Sequence, residues 1–209
     1  MNLTINLLRP GLYSLVVSLD HDYATVIKAL DSEDWQAHSD RKDGAGLAGD
    51  PYSERSGLLN PKSQVLKNVM EFINSESVKE QLVNFVYDTQ GDYISSLWEG
   101  WSREQMLQYT FWGCMFNRDQ PGFHIPLHID TRLQVATAMV YFVENDDPDQ
   151  STVYYTSNKF EDPLRIKNNF GTGVLHINDH TAWHEGYNRS NIIRYSLICG
   201  LLLKVKEQL

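Results

Sequence analysis

Only two cysteines occur in the 209 residues, Cys114 and Cys199, so the chain is not built on a disulfide framework. Both lie in apolar, strand-like runs and read as reduced, buried thiols; a disulfide stays open only if their strands pair. Long hydrophobic runs are also missing. None approaches the roughly 20 apolar residues of a membrane span. Arg9-Pro10 interrupts the apolar residues of the N-terminus, and no small-residue cleavage site follows. Neither a membrane association nor a signal peptide is therefore expected, and the expected compartment is cytoplasmic. The Asn188-Arg189-Ser190 sequon then reads as chance. Basic charge is scarce: 18 Lys and Arg stand against 27 Asp and Glu, a net charge of −9. That balance opposes a large nucleic-acid footprint, which needs a basic surface, and no nucleic-acid partner is expected. The chain has no internal repeat and no low-complexity segment.

What is present is an ordinary globular composition, 42% hydrophobic and 22% charged, at a length that suits a single domain over 1–209 with a real core. The chain changes texture near its middle. Residues 1–104 read as a helical and loop support region. A strand is expected over 12–19 and a helix over 20–30. A long polar stretch over 31–61, with Trp35 as its anchor, has the length of a functional loop or lid. Helices are expected over 61–74 and from Ser75 or Ser77 to about Asp88, followed by an aromatic patch at Tyr93, Leu97, Trp98 and Trp101. From Gln105 onward the sequence is β-rich: strands are expected over 105–116, 123–130, 135–143, 152–156, 173–178 and 192–203, with turns at 117–122 and 144–150. Many short strands separated by turns indicate an all-β barrel or sandwich over 105–209, with the N-terminal helices leaning on it. The fold class is thus mainly β with N-terminal helices, α+β.

One stretch organises the β half, Pro126-Leu127-His128-Ile129-Asp130-Thr131-Arg132. On a strand, residues i and i+2 share a face, so His128 and Asp130 project together. A third donor is available in Ala182-Trp183-His184-Glu185-Gly186. Two histidines and a carboxylate on one face, with other coordination positions open, suit non-haem Fe(II) and oxygen chemistry. His176 and His180 are rivals for the distal position held by His184. Spacings of four, His124 to His128 and His180 to His184, would suit a zinc pair on a helix, but these segments read as strands and turns. Arg194 enters a strongly apolar strand, so it needs an anionic partner. That partner is either a ligand or a protein carboxylate. Arg132 shares the parity of His128 and Asp130. It reads equally as a grip on a substrate carboxylate or phosphate and as a surface residue facing the acidic 144–149 loop. Gln134 is a weaker substrate candidate of the same kind.

His128-x-Asp130, the distal His184, and Arg194-x-Ser196 ten residues later together resemble the signature of the Fe(II)/2-oxoglutarate-dependent dioxygenases, in the prolyl-hydroxylase-like branch. The resemblance covers roughly residues 105–204. It implies a double-stranded β-helix, or jelly-roll, core like that of the cupins. It also implies Fe(II) held by His128, Asp130 and His184, and 2-oxoglutarate whose distal carboxylate meets Arg194 and Ser196. O2 would be the oxidant, with ascorbate as a candidate accessory reductant, and succinate and CO2 the coproducts. Retention of Asp130 favours hydroxylation over halogenation, since halogenating members replace that carboxylate. The expected substrate is a small molecule, an amino acid or biosynthetic intermediate. Alternatives are a peptide or protein side chain, and a non-redox cupin-like metal-binding protein. The chain departs from the pattern at Asp119, where the branch often has a cosubstrate-binding Tyr; Asn117, Thr137 and Tyr141 are candidates for the missing hydrogen bond. It also has Gly200 where the alkylation-repair branch carries a second Arg.

Overall fold

The computed structural model describes residues 1–37, 55–97, 100–130, 134–179 and 182–203. The strands are β1 (Asn2–Arg9), β2 (Leu12–Ser18), β3 (Gln36–Ala37), β4 (Arg55–Leu58), β5 (Thr110–Asp119), β6 (His124–His128), β7 (Gln134–Tyr141), β8 (Gln150–Tyr155), β9 (Leu164–Ile166), β10 (Thr172–Ile177), β11 (Trp183–Asn188) and β12 (Arg194–Leu203). The helices are α1 (Tyr23–Asp31), α2 (Gln64–Ile73), α3 (Glu76–Leu97) and α4 (Arg103–Tyr109). Two antiparallel sheets face each other. The larger has the order β1-β2-β10-β7-β12-β5-β4-β3 and the smaller β6-β11-β8-β9. This is the double-stranded β-helix expected for the β half.

Alternation along the central strands separates two environments. On β12, Tyr195, Leu197, Cys199 and Leu201 join the core formed with α1–α4, while Arg194 and Ile198 face the space between the sheets. The helices bury their apolar stripes on that outer side of the larger sheet, through Val26 and Leu30 of α1, Leu66 and Val69 of α2, and Leu82 and Val86 of α3. Ser102 and Gln105 close a reciprocal capping box that starts α4. Residues 105–109 are therefore helical rather than strand. The apolar residues read there as strand are the entrance to β5, which begins at Thr110 and runs through Asn117 to Asp119. The turn that follows is Gln120–Gly122, with Gly122 at φ +90° and its N–H donating to the Asn188 carbonyl at 2.8 Å.

The first 104 residues also supply strands. β1 and β2 extend one edge of the larger sheet, and β4 and β3 extend the other. Cys114 and Cys199 are register partners on β5 and β12, and both are free thiols. Asn188 is fully buried, its amide donating to the carbonyls of Asp119 and Ile192 at 2.9 Å each, which leaves no accessible nitrogen for a glycan. Among the described residues, no helix is long and apolar enough to cross a membrane.

Candidate active site

His128 and His184 face each other across β6 and β11 as register partners, their ring centroids 4.3 Å apart. A bulge makes this possible. Ile125 pairs with Gly186 and His128 with His184, so β6 has two residues, Pro126 and Leu127, opposite the single Glu185. Without that extra residue Ile125 and His128 would point to opposite faces; both line the cavity between the sheets. β6 ends at His128, and Asp130 follows in the connection beyond it rather than on the strand itself.

Each imidazole is fixed through Nδ1. His128 Nδ1 lies 2.8 Å from the Pro126 carbonyl and His184 Nδ1 lies 2.9 Å from the Ala182 carbonyl. A carbonyl can only accept, so each Nδ1 carries the proton and each Nε2 keeps its lone pair. Those Nε2 atoms stand 3.6 Å (His128) and 3.8 Å (His184) from Asp130 Oδ1. All three candidate donor atoms lie within 4.8 Å of one another. The second carboxylate oxygen, Asp130 Oδ2, is already engaged: Thr137 Oγ1 donates to it at 2.7 Å and His176 Nε2 lies at 3.0 Å. Thr137 in turn accepts from Asn178 Nδ2 at 3.2 Å. One oxygen is thus anchored to the larger sheet and the other is directed at the two imidazoles. Two neutral nitrogens and one anionic oxygen, each oriented by an outer partner, form a donor set that fits a divalent iron.

Electrostatics follow this arrangement. Burial, reinforced by the neighbouring His176, lowers the His184 pKa to about 3, which keeps the ring neutral. Burial alone would raise Asp130, but the neighbouring His128, His176 and His184 imidazoles, with His176 in hydrogen-bond contact, outweigh it and hold the carboxylate well below its usual range. Burial also opposes the charged form of His128, yet Asp130 and the Pro126 carbonyl outweigh it and the pKa is raised.

His176, a sequence rival for the distal position, sits at the site in a different role. Its Nδ1 is 2.7 Å from the Tyr154 hydroxyl and its Nε2 faces Asp130, so both nitrogens are engaged. His180 and Arg132 lie outside the described residues. Gln134 lines the cavity.

Arg194 lines the same cavity of about 250 Å³ as the three donor residues. It is fully buried, and it has a protein carboxylate as its partner: Nε and Nη2 donate to Asp119 Oδ2 at 2.9 and 2.6 Å, and Nη1 to the Ser151 carbonyl at 3.1 Å. A second guanidinium, Arg55, reaches Asp119 from the other side, with Nε 2.6 Å from Oδ1 and Nη2 3.0 Å from Oδ2. The three residues occupy one rung across β12, β5 and β4. Both guanidiniums lie over the Phe123 ring, Arg55 at 4.3 Å and Arg194 at 5.6 Å from its centroid. Burial would raise the Asp119 pKa, but its two cations outweigh it and lower the value. Arg55 carries no signal in the sequence, because its short strand emerges from a polar stretch with no readable period. The Thr137 hydroxyl, a candidate for a hydrogen bond to the cosubstrate, holds Asp130 instead. Tyr141 donates to Thr152 Oγ1 at 2.7 Å. Ser196 Oγ and both amide atoms of its register partner Asn117 are buried and have no hydrogen-bond partner among the described residues.

Fold and site together define a double-stranded β-helix protein with a two-histidine, one-carboxylate cluster between its sheets. Solved structures of that architecture share the fold. A prolyl-4-hydroxylase from Pseudomonas putida superposes with a TM-score of 0.61 over 92% of each chain, at 13% identity. A Trichoplax adhaerens prolyl hydroxylase, in complex with a hypoxia-inducible factor oxygen degradation domain peptide, gives a TM-score of 0.64 over 92% of this chain and 83% of the other, at 14% identity. The Arabidopsis thaliana dioxygenase for auxin oxidation, in its binary complex with 2-oxoglutarate, gives 0.50 over 95% and 85%, at 12% identity. No family model and no curated protein matches the sequence. The chain therefore has the fold of the 2-oxoglutarate and Fe(II) oxygenases.

Proposed function

We propose that the protein is an Fe(II)- and 2-oxoglutarate-dependent oxygenase that hydroxylates a small molecule. One observation carries this reading: two free imidazole Nε2 atoms and one free carboxylate oxygen converge in the cavity that also holds two buried guanidiniums. Bound there with 2-oxoglutarate and O2, Fe(II) supplies oxidation of an unactivated C–H bond, with succinate and CO2 as coproducts. In this reading His128, Asp130 and His184 hold the metal. Thr137 and His176 keep Asp130 oriented, so that little reorganisation is needed on binding. Arg194 meets the distal carboxylate of the cosubstrate, and the orphaned Ser196 hydroxyl, on the same strand, gives it a hydrogen bond. Gln134, which lines the cavity, faces the substrate. Retention of a carboxylate at Asp130 supports hydroxylation.

A small substrate is favoured by a second cavity of about 220 Å³ that shares the His176 wall with the first. Arg9, Gly11, Tyr154, Thr156 and Ala182 also line it. Its size suits a compact molecule better than a protein segment.

The test is an anaerobic visible spectrum of the metal-free protein with Fe(II), before and after 2-oxoglutarate. A new charge-transfer band on addition, followed by succinate release with a small-molecule panel, is the expected result. Iron binding without the band would overturn the cosubstrate assignment in favour of a plain metal-binding barrel. Turnover of peptides alone would transfer the substrate to a protein side chain.

A further inference from the structure

We infer that Arg55 belongs to the cosubstrate site, restoring the positive charge that Asp119 removes from Arg194; this rests on the oxygenase reading above. Arg194 is the only cation that β12 contributes to the cavity, and Asp119 binds it with two short hydrogen bonds. Those two residues alone would present the cavity with no net charge, a poor receptor for an anion. Arg55 changes the balance. Two guanidiniums share one carboxylate, so the rung carries a single net positive charge. It does so where all three side chains are nearly or wholly buried and interactions are weakly screened.

That charge matches the ligand. A divalent metal with one carboxylate ligand and a dianionic 2-oxo acid leaves one negative charge over, and the rung neutralises it. The geometry is compatible with a shared grip. Asp119 occupies Nε and Nη2 of Arg55, and no hydrogen bond from its Nη1 exists among the described residues. Arg55 and Arg194 both line the cavity. Asp119 is then a positioning residue that sets the two forks side by side. The unpartnered amide of Asn117, two residues before Asp119 on β5, gives the neighbourhood a further buried hydrogen-bonding group.

The experiment is titration calorimetry of the Mn(II)-loaded protein with 2-oxoglutarate, without turnover. Beside it runs a 2-oxo acid of similar length that lacks the distal carboxylate. Arg55→Ala should weaken 2-oxoglutarate by about ten- to a hundred-fold, the usual range for a charged hydrogen bond, and leave Mn(II) affinity and the monocarboxylate unchanged. The decisive arm is Arg55→Ala with Asp119→Asn. Removing both opposite charges returns the rung to one net positive charge on Arg194, and most of the lost affinity should return. A merely structural role for Arg55 predicts no such recovery. Arg55→Gln, which can still donate to Asp119, gives the same test if Arg55→Ala does not fold. Unchanged affinity in the single variant, or no recovery in the double, would overturn the inference. No 2-oxoglutarate binding by the unaltered protein would instead overturn the cosubstrate assignment itself.

Discussion

Asp130 shows how single atoms divide the work of a candidate metal site. Oδ1 faces the two Nε2 atoms, while Oδ2 is held by Thr137 and His176. Thr137→Val keeps the shape of the side chain and removes only the donor. Its expected effect is a rise of about tenfold or more in the metal dissociation constant with the fold intact, in the range known for outer partners of metal ligands. Competitive chelation followed by circular dichroism checks both halves. His184 gives a pH prediction. Its folded pKa is about 3 against 6.5 for an exposed histidine, with burial the first cause and His176 the second. Between those values the unfolded chain binds more protons, so the metal-free protein loses stability as pH falls below 6.5. The slope from this group is about 1.4 kcal/mol per pH unit. His128 works the other way: its raised folded pKa gives a contribution present below 6.5 and lost as pH rises through the folded value. Comparing the unaltered protein with His184→Gln isolates the first effect. Urea midpoints of the unaltered protein should fall more steeply from pH 7 to pH 5, and parallel lines would contradict the assignment.

At the scale of elements, what the sequence made legible was what repeats with a clean period. α2 and α1 are readable from their apolar stripes, and β7, β8, β10 and β12 from runs bounded by turn residues, whereas β11 has no such run. β1 was not read: Arg9 and Pro10 sit at its hairpin turn, and its outward residues, such as Leu7 and Leu8, are exposed apolar ones that break the alternation. The α4 segment reads as strand because the helix is only seven residues long and passes directly into β5, so its capping box of Ser102 and Gln105 is followed by no full apolar stripe. The candidate metal donors are legible as residue types, in His128-x-Asp130 and His184, but their geometry is not local: Asp130 lies beyond the end of β6, and a bulge sets His128 opposite His184. The Arg55–Asp119–Arg194 rung is not legible, because it depends on pairing between residues 64 and 75 positions apart. The α3 kink at Gln90 is of the same kind. The backbone there leaves helical geometry, at φ −146° and ψ 33°. The side chain reaches the β1–β2 turn, where its Oε1 accepts from Gly11 N–H at 2.8 Å and from the Tyr13 hydroxyl at 2.9 Å. Gln90→Leu would strand both donors in a half-buried position. The expected cost is about 1–3 kcal/mol of unfolding free energy, measured by chemical denaturation.

The whole molecule brings that turn to the mouth of the barrel. β2 pairs with β10 so that Leu12 lies opposite His176, and the Arg9-Pro10-Gly11 turn therefore meets the end of the barrel where the candidate metal donors lie. The α3 kink braces it from outside, through Gln90 and through Tyr93, whose ring lies against Gly11 and whose hydroxyl donates to Asp179. Arg9 is held there with only a backbone hydrogen bond to the Asp162 carbonyl, at 3.3 Å, among the described residues. Burial of its guanidinium lowers its pKa despite the Tyr154 and Asp162 groups nearby. A partly desolvated cation in the wall of the second cavity favours a substrate carrying an anionic group, and Arg9 lines a different cavity from Arg55 and Arg194, the residues proposed for the cosubstrate. The two functions should therefore separate. Arg9→Ala should raise KM for carboxylate-bearing substrates by about tenfold, as for a lost charged hydrogen bond partly exposed to water. It should leave the 2-oxoglutarate dissociation constant and the rate of succinate release in the absence of substrate unchanged. Steady-state kinetics on a pair of substrates differing only in that anionic group decides the matter. An equal loss on both members of the pair would mean that Arg9 supports the turn rather than the substrate.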